Sequence, residues 1–122
     1  HEGSCVSACG EMLTGGEVRQ PALLGRLGEW ATPEALAVAL NDAGGTGGGW
    51  HRVWFGSGGE ALGQAVRGRM AAVLAAPGGN LHMVVVEPVG QGRFLVRDPY
   101  PGVAYEVTAD WIERYVAAGV FQ

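Results

Sequence analysis

Residues 81–99 read LHMVVVEPVGQGRFLVRDP, two apolar runs on either side of a short stretch rich in glycine. The pattern predicts strands over 81–87 and 93–98, joined around Val89-Gly90-Gln91-Gly92 as an antiparallel hairpin. With the turn centred near Gly90, His82 falls opposite Asp98. Period-two alternation then puts Val84, Val86, Phe94 and Val96 on the same face. Directly opposed residues carry Cβ atoms about 5 Å apart, within reach of an imidazole–carboxylate hydrogen bond. A carboxylate in that place fixes the histidine tautomer and stabilises the imidazolium.

The pattern continues outward in both directions. Upstream, 70–75 reads as a buried strand, 59–67 as a helix and 50–55 as a strand. Gly44 to Gly49 reads as a loop. Thr32-Pro33-Glu34 is a helix start, with a cap, a proline in the first helical position and an acid in the first turn. That helix runs through Leu36, Ala39 and Leu40 to Gly44-Gly45. A short helix is expected over 21–27. At the front, Ser4 caps a helix whose Val6, Cys9, Met12 and Leu13 recur at helical spacing, ended by Thr14-Gly15-Gly16. Downstream, 103–107 reads as a strand, and Thr108 caps a last helix through Trp111 and Tyr115. Helices first and an antiparallel sheet afterwards make an α+β domain, with N-terminal helices packed on a C-terminal antiparallel sheet. No internal repeat or linker divides the 122 residues, so 1–122 is expected to be a single domain.

Composition narrows the partners. The net charge of −4 argues against nucleic acid or an anionic lipid surface. No apolar run approaches the roughly 18 residues that cross a bilayer, and no stretch reads as a secretory signal. The eight basic residues are all arginine, which with 22 glycines suggests a GC-rich coding bias. The glycine clusters at 44–49 and 56–59 lack the strand-to-helix context of a phosphate loop.

The two cysteines have four readings: packing, disulfide, metal ligation or nucleophile. Cys5 and Cys9 sit one helical turn apart with side chains poorly aimed for a bond, which sets the disulfide aside. Zinc needs about four ligands in close-spaced pairs, and His1, His51 and His82 are unpaired in sequence, so no metal or cofactor is expected. A thiol in the first turn of a helix meets unpaired amides and the positive end of the dipole, both of which favour thiolate. Cys5 has that position after Ser4. Cys9 lies a turn deeper and reads as core. Trp50, Trp54 and Trp111 read as core or groove walls, and His51 as a surface residue without a role.

A cysteine at a helix start, followed far downstream by a histidine and an acid on neighbouring strands, resembles the papain-like cysteine peptidases. The stretches SCVSACGEML, LHMVVVEP, FLVRDPYPG and VTADWIERY are similar to the bacteriocin-processing, double-glycine-leader peptidases and related bacterial effector domains. In that group Cys-x-x-Ala opens the first helix, His-x-Val-Val follows about eighty residues on, and Asp-Pro follows after one hairpin. Here the motifs are Cys5 to Ala8, His82 to Val85 and Asp98-Pro99. The resemblance implies a papain-like fold with Cys5 as nucleophile, His82 as general base and acid, and Asp98 as the orienting acid. The family's oxyanion glutamine precedes the cysteine by about half a dozen residues, a position ahead of His1. Glu2 is a poor substitute because a carboxylate repels a developing oxyanion, which leaves Ser4 or the Cys5 backbone amide to serve.

The implied activity is hydrolysis of a peptide bond in a protein substrate. The alternatives are glutamine deamidation or acyl transfer on a protein target, and a catalytically silent papain-like binding module. The chain reads as a module from a longer bacterial protein, secreted or delivered into a target cell, and otherwise cytoplasmic. As a toxin or effector domain it would have a cognate immunity or inhibitor protein as a second partner.

Overall fold

The computed structural model describes residues 9–13, 33–43, 49–75, 81–99 and 102–122. Residues 9–13 are helical. The later elements, in chain order, are α1 (Pro33–Ala43), β1 (His51–Trp54), α2 (Gly58–Ala65), β2 (Met70–Ala75), β3 (Leu81–Gly90), β4 (Arg93–Asp98), β5 (Val103–Thr108), α3 (Ala109–Tyr115) and β6 (Val116–Phe121). The Ser4 cap, the Thr14-Gly15-Gly16 stop, the helix expected over 21–27 and most of the 44–49 loop lie outside the described residues.

The expected elements downstream of Thr32 are present with small shifts at their ends. In α1 the buried positions Leu36, Ala37, Ala39 and Leu40 form one face. Asn41 ties the helix to the next strand: its Nδ2 donates to the Trp50 carbonyl at 3.2 Å, and its Oδ1 accepts from the Trp50 amide at 2.9 Å. Ser57 caps α2 by accepting from the Glu60 amide at 3.3 Å. A Cβ at Gly58 would run into the Glu113 backbone carbonyl, so the approach of α2 to α3 requires glycine there.

The six strands form one sheet in the order β1-β6-β2-β3-β4-β5, with every neighbouring pair antiparallel. Two corrections to the sequence reading follow. Residues 116–121, which carry no strand signal of their own, form β6 and insert between β1 and β2. Helices also cover both faces of the sheet: residues 9–13 and α1, which precede it, pack on one face, and α2 and α3 pack on the other. On one face Cys9, Leu13, Leu36, Ala39, Leu40 and Trp50 pack on Ala71, Val73, Met83, Val85, Ala118 and Val120. On the other, Ala61, Ala65 and Ile112 pack on Met70, Ala72, Val84, Val86, Phe94, Val96, Val107 and Val116. Burial on both sides explains why β2 and β3 carry continuous apolar runs in place of alternation.

The hairpin differs from its expected register. Val86 faces Val96 and Val85 faces Arg97, so Asp98 continues opposite Val84, not opposite His82. Two features move it. The turn centres on Gln91-Gly92, both at positive φ (58° and 72°), as a two-residue hairpin turn requires. The register also slips between Pro88 and Gly90, where Val89 is the extra residue of a bulge. The total offset is two residues, an even number, so every side chain keeps its expected face.

Candidate active site

His82 and Asp98 are diagonal neighbours on one face of β3 and β4, at the same end of the sheet. Diagonal positions lie about 7–8 Å apart, which long side chains span. The His82 Nε2 sits 2.7 Å from Asp98 Oδ2. An ionised carboxylate only accepts, so Nε2 is the donor and carries a ring proton. A neutral ring in this tautomer has Nδ1 as its basic nitrogen. The imidazole is 33% exposed and the carboxylate 12%, so the acid lies behind a ring that meets solvent. The backbone of Asp98 is fixed as well: its carbonyl accepts from the Gly102 amide at 3.1 Å, in a turn that Gly102 closes at φ 72°.

The sequence reading missed Tyr105. It stands opposite Val96 on β5, while Asp98 stands opposite Val103, which makes Tyr105 the diagonal neighbour of Asp98 on the side away from His82. Burial and, secondly, the charge of Asp98 push the Tyr105 phenol above its ordinary value near 10. The available signal was the same face rule applied one hairpin further on. Tyr105 meets Trp111 edge-on, with centroids 6.2 Å apart, and Trp111 meets Tyr115 at 5.4 Å.

The other sequence candidates fall as follows. Cys9 is fully buried, and its Sγ donates to the carbonyl of Met83, the residue after His82, at 3.3 Å. That is the core position expected of it. Cys5, Glu2 and Ser4 lie outside the described residues. His51 sits on the outer strand β1 against Phe121, three strands from His82. Of the tryptophans, Trp50 is core, Trp54 is exposed and donates to Glu34 at 2.9 Å, and Trp111 is half-buried beside Tyr105. Among the described residues no group of three or more His, Cys, Asp and Glu could hold a metal ion. Among them also, no helix is long and apolar enough to cross a membrane.

A histidine held by a carboxylate at one nitrogen and basic at the other is competent to take a proton from a nucleophile and return it to a leaving group. No protein-family model and no curated protein matches the sequence. Solved structures do match in shape. The peptidase domain of Streptococcus ComA, a bi-functional ABC transporter involved in a quorum-sensing pathway, superposes with a TM-score of 0.65 at 13% identity, covering 98% of this chain and 88% of that one. The Pseudomonas avirulence protein AvrPphB superposes with a TM-score of 0.52 at 14% identity, covering 99% of this chain and 91% of that one. At such identities the likeness is one of architecture, and it is the one the sequence motifs resembled: this chain has the papain-like fold of the bacteriocin-processing peptidase domains.

Proposed function

We propose that this chain is a cysteine peptidase that cleaves a peptide bond in a protein substrate through Cys5, His82 and Asp98. The observation that carries the reading is the 2.7 Å contact between His82 and Asp98, residues sixteen apart that only the hairpin brings together. In the sequence Cys5 stands four residues before Cys9, whose thiol rests against the carbonyl of Met83, the residue after His82.

The chemistry follows from the ring's tautomer. His82 Nδ1 takes the Cys5 proton, and the thiolate attacks the substrate carbonyl to give a tetrahedral intermediate. The Cys5 amide or Ser4 donates to the oxyanion. The imidazolium, stabilised by Asp98, protonates the leaving amine, and water then hydrolyses the thioester with His82 again as base. The resemblance in fold to an avirulence protein is in keeping with a domain of a larger bacterial protein delivered into another cell; a cognate inhibitor in the producing cell is part of the same proposal.

Exposing a cell lysate to the wild-type chain and to Cys5→Ala, followed by mass spectrometry of peptide termini, tests the reading. New termini made only by the wild type are expected. A gain of about 1 Da at glutamine without new termini, the mark of amide replaced by acid, would replace hydrolysis by deamidation. Neither change would leave a silent binding module.

A further inference from the structure

We infer that Tyr105 is a positioning residue for the His82–Asp98 pair: its ring stands behind the Asp98 carboxylate and keeps it leaning toward His82. Its effect on turnover rests on the peptidase reading; its effect on the pair does not.

His82, Asp98 and Tyr105 share one face of three neighbouring strands and fall along a single diagonal. On β3 the position opposite Asp98 is Val84, two residues from His82. On β5 the position opposite Asp98 is Val103, two residues from Tyr105. The two steps run in opposite directions along the strands. His82 lies beyond Asp98 toward the end of the sheet, and Tyr105 lies on the inner side, level with Val96.

The bond to His82 therefore needs a lean. A strand side chain tilts along its strand, and two settings of χ1 are common there. One carries the short Asp98 side chain toward the level of His82, where Nε2 and Oδ2 stand 2.7 Å apart. The other carries it back toward the level of Val96, into the space beside Tyr105. Two observations put the Tyr105 side chain there. Burial first, and the charge of Asp98 second, hold the phenol above its ordinary value, so the carboxylate's field reaches the hydroxyl. The ring is also braced from the far side, edge-on to Trp111 at 6.2 Å, and Trp111 packs on the core that holds Val84, Phe94 and Val96. A protonated phenol is neutral, so what Tyr105 sets beside the carboxylate is bulk rather than charge. Asp98 keeps only 12% exposure although β5 is an edge strand. Without the ring, the carboxylate has both settings open and spends part of its time away from Nε2. A charge-assisted hydrogen bond weakens steeply with such misalignment.

The test is a double-mutant cycle on the pair itself. The nitrogen-15 shift of His82 Nε2, read through the carbon-bound ring protons at one pH, reports the hydrogen bond without any turnover. Tyr105 is 37% exposed on the edge strand, so its truncation spares the core, and the urea midpoint checks folding. Tyr105→Ala is expected to move the Nε2 shift toward that of Asp98→Asn. Tyr105→Phe, which keeps the ring, is expected to stay at the wild-type value. In the Asp98→Asn chain, Tyr105→Ala is expected to change nothing further. A wild-type shift in Tyr105→Ala, a Phe variant as damaged as Ala, or an equal further change without the Asp98 charge would overturn the proposal. In turnover, Tyr105→Ala should lower kcat about tenfold at unchanged KM, within the range by which members of one hydrogen-bond network couple; a change in KM alone would make Tyr105 a substrate contact and overturn it too. A wild-type chain that cuts no protein, with the spectral cycle as expected, would refute the peptidase reading and leave the role of Tyr105 at the pair standing.

Discussion

Replacing Asp98 by asparagine removes one charge and almost no volume, at the residue that holds His82. A separation of 2.7 Å is in the range of charge-assisted hydrogen bonds. Such bonds contribute about 1.5–3 kcal/mol. The carboxylate is 12% exposed, so water screens it little, but the ring is 33% exposed, which places the pair toward the lower half, near 2 kcal/mol. At about 1.36 kcal/mol per decade, that alone is roughly a 30-fold loss in turnover. Asparagine adds a second effect. Its amide nitrogen donates to Nε2 and moves the ring proton to Nδ1, the nitrogen that must accept the thiol proton. Losses from a misplaced tautomer reach about 10⁴. The expected result is a fall in kcat/KM of two to four orders of magnitude, measured on a peptide spanning a cleavage site mapped from the lysate. Nitrogen-15 spectra of the His82 ring report the tautomer without any reliance on activity. The fold is expected to survive, because the β4–β5 ladder that carries Asp98 is unchanged. Activity within about threefold of wild type, with the Nε2–H tautomer retained, would refute the reasoning, since the charge-assisted bond would then contribute nothing.

Three further outcomes are expected. Iodoacetamide should modify Cys5 in the native chain at neutral pH and leave Cys9 untouched until denaturant is added, because Cys9 is fully buried and donates to Met83; native labelling of Cys9 at the same rate would count against the assignment. Phe94→Ala, in the centre of the face that carries the pair and 1% exposed, should destabilise the domain by about 3–5 kcal/mol, read as a lower urea midpoint at unchanged slope. Tyr105 should ionise, by its absorbance near 295 nm, above the ordinary value near 10. Because the folded phenol is the weaker acid, its contribution to stability is complete below that ordinary value and is lost as pH rises through the raised one. Tyr105→Phe should therefore flatten the alkaline decline in stability, and a decline identical to wild type would exclude Tyr105 as its cause.

How much was legible depended on how local each decision is. The hairpin could be read because parity survives an even error: the bulge at Val89 and the turn at Gln91-Gly92 moved the register by two, and His82 still met Asp98. The Ser57 cap of α2 was not read, and that helix starts one residue earlier than expected, whereas the helix start at Pro33 declared itself through first-turn chemistry that operates within a few residues. β6 did not. Val116 follows Tyr115 with no glycine, proline or asparagine to break the helix, and VAAGVF becomes a strand because β1 and β2 leave a slot for it. Its Gly119 suits that slot, since a Cβ there would lie 2.8 Å from the Met70 sulfur. The distribution of helices over both faces was hidden for the same reason: crossovers are settled by the sheet, not by the segment that crosses. Tyr105 was missed although the rule that found Asp98 also reaches it, because the pattern was followed across one hairpin and not two. Cys5, which the motif singled out, has no described geometry to set beside it.

The position of β6 bears on how such a chain is made. β1 is joined to the rest of the sheet only through β6, yet β6 is the last of the six strands to leave the ribosome. Until residue 121 has emerged, residues 51–54 have no strand to pair with, and the edge of β2 stands open to any other extended segment. Pairings this distant in sequence carry a large loop-closure cost and form late. Closure of the sheet thus awaits synthesis of its final strand, and a chain interrupted after α3 would hold the His82–Asp98 hairpin but expose the apolar edge that β6 covers. For a domain proposed to cut proteins, that order would tie completion of the scaffold to the synthesis of β6.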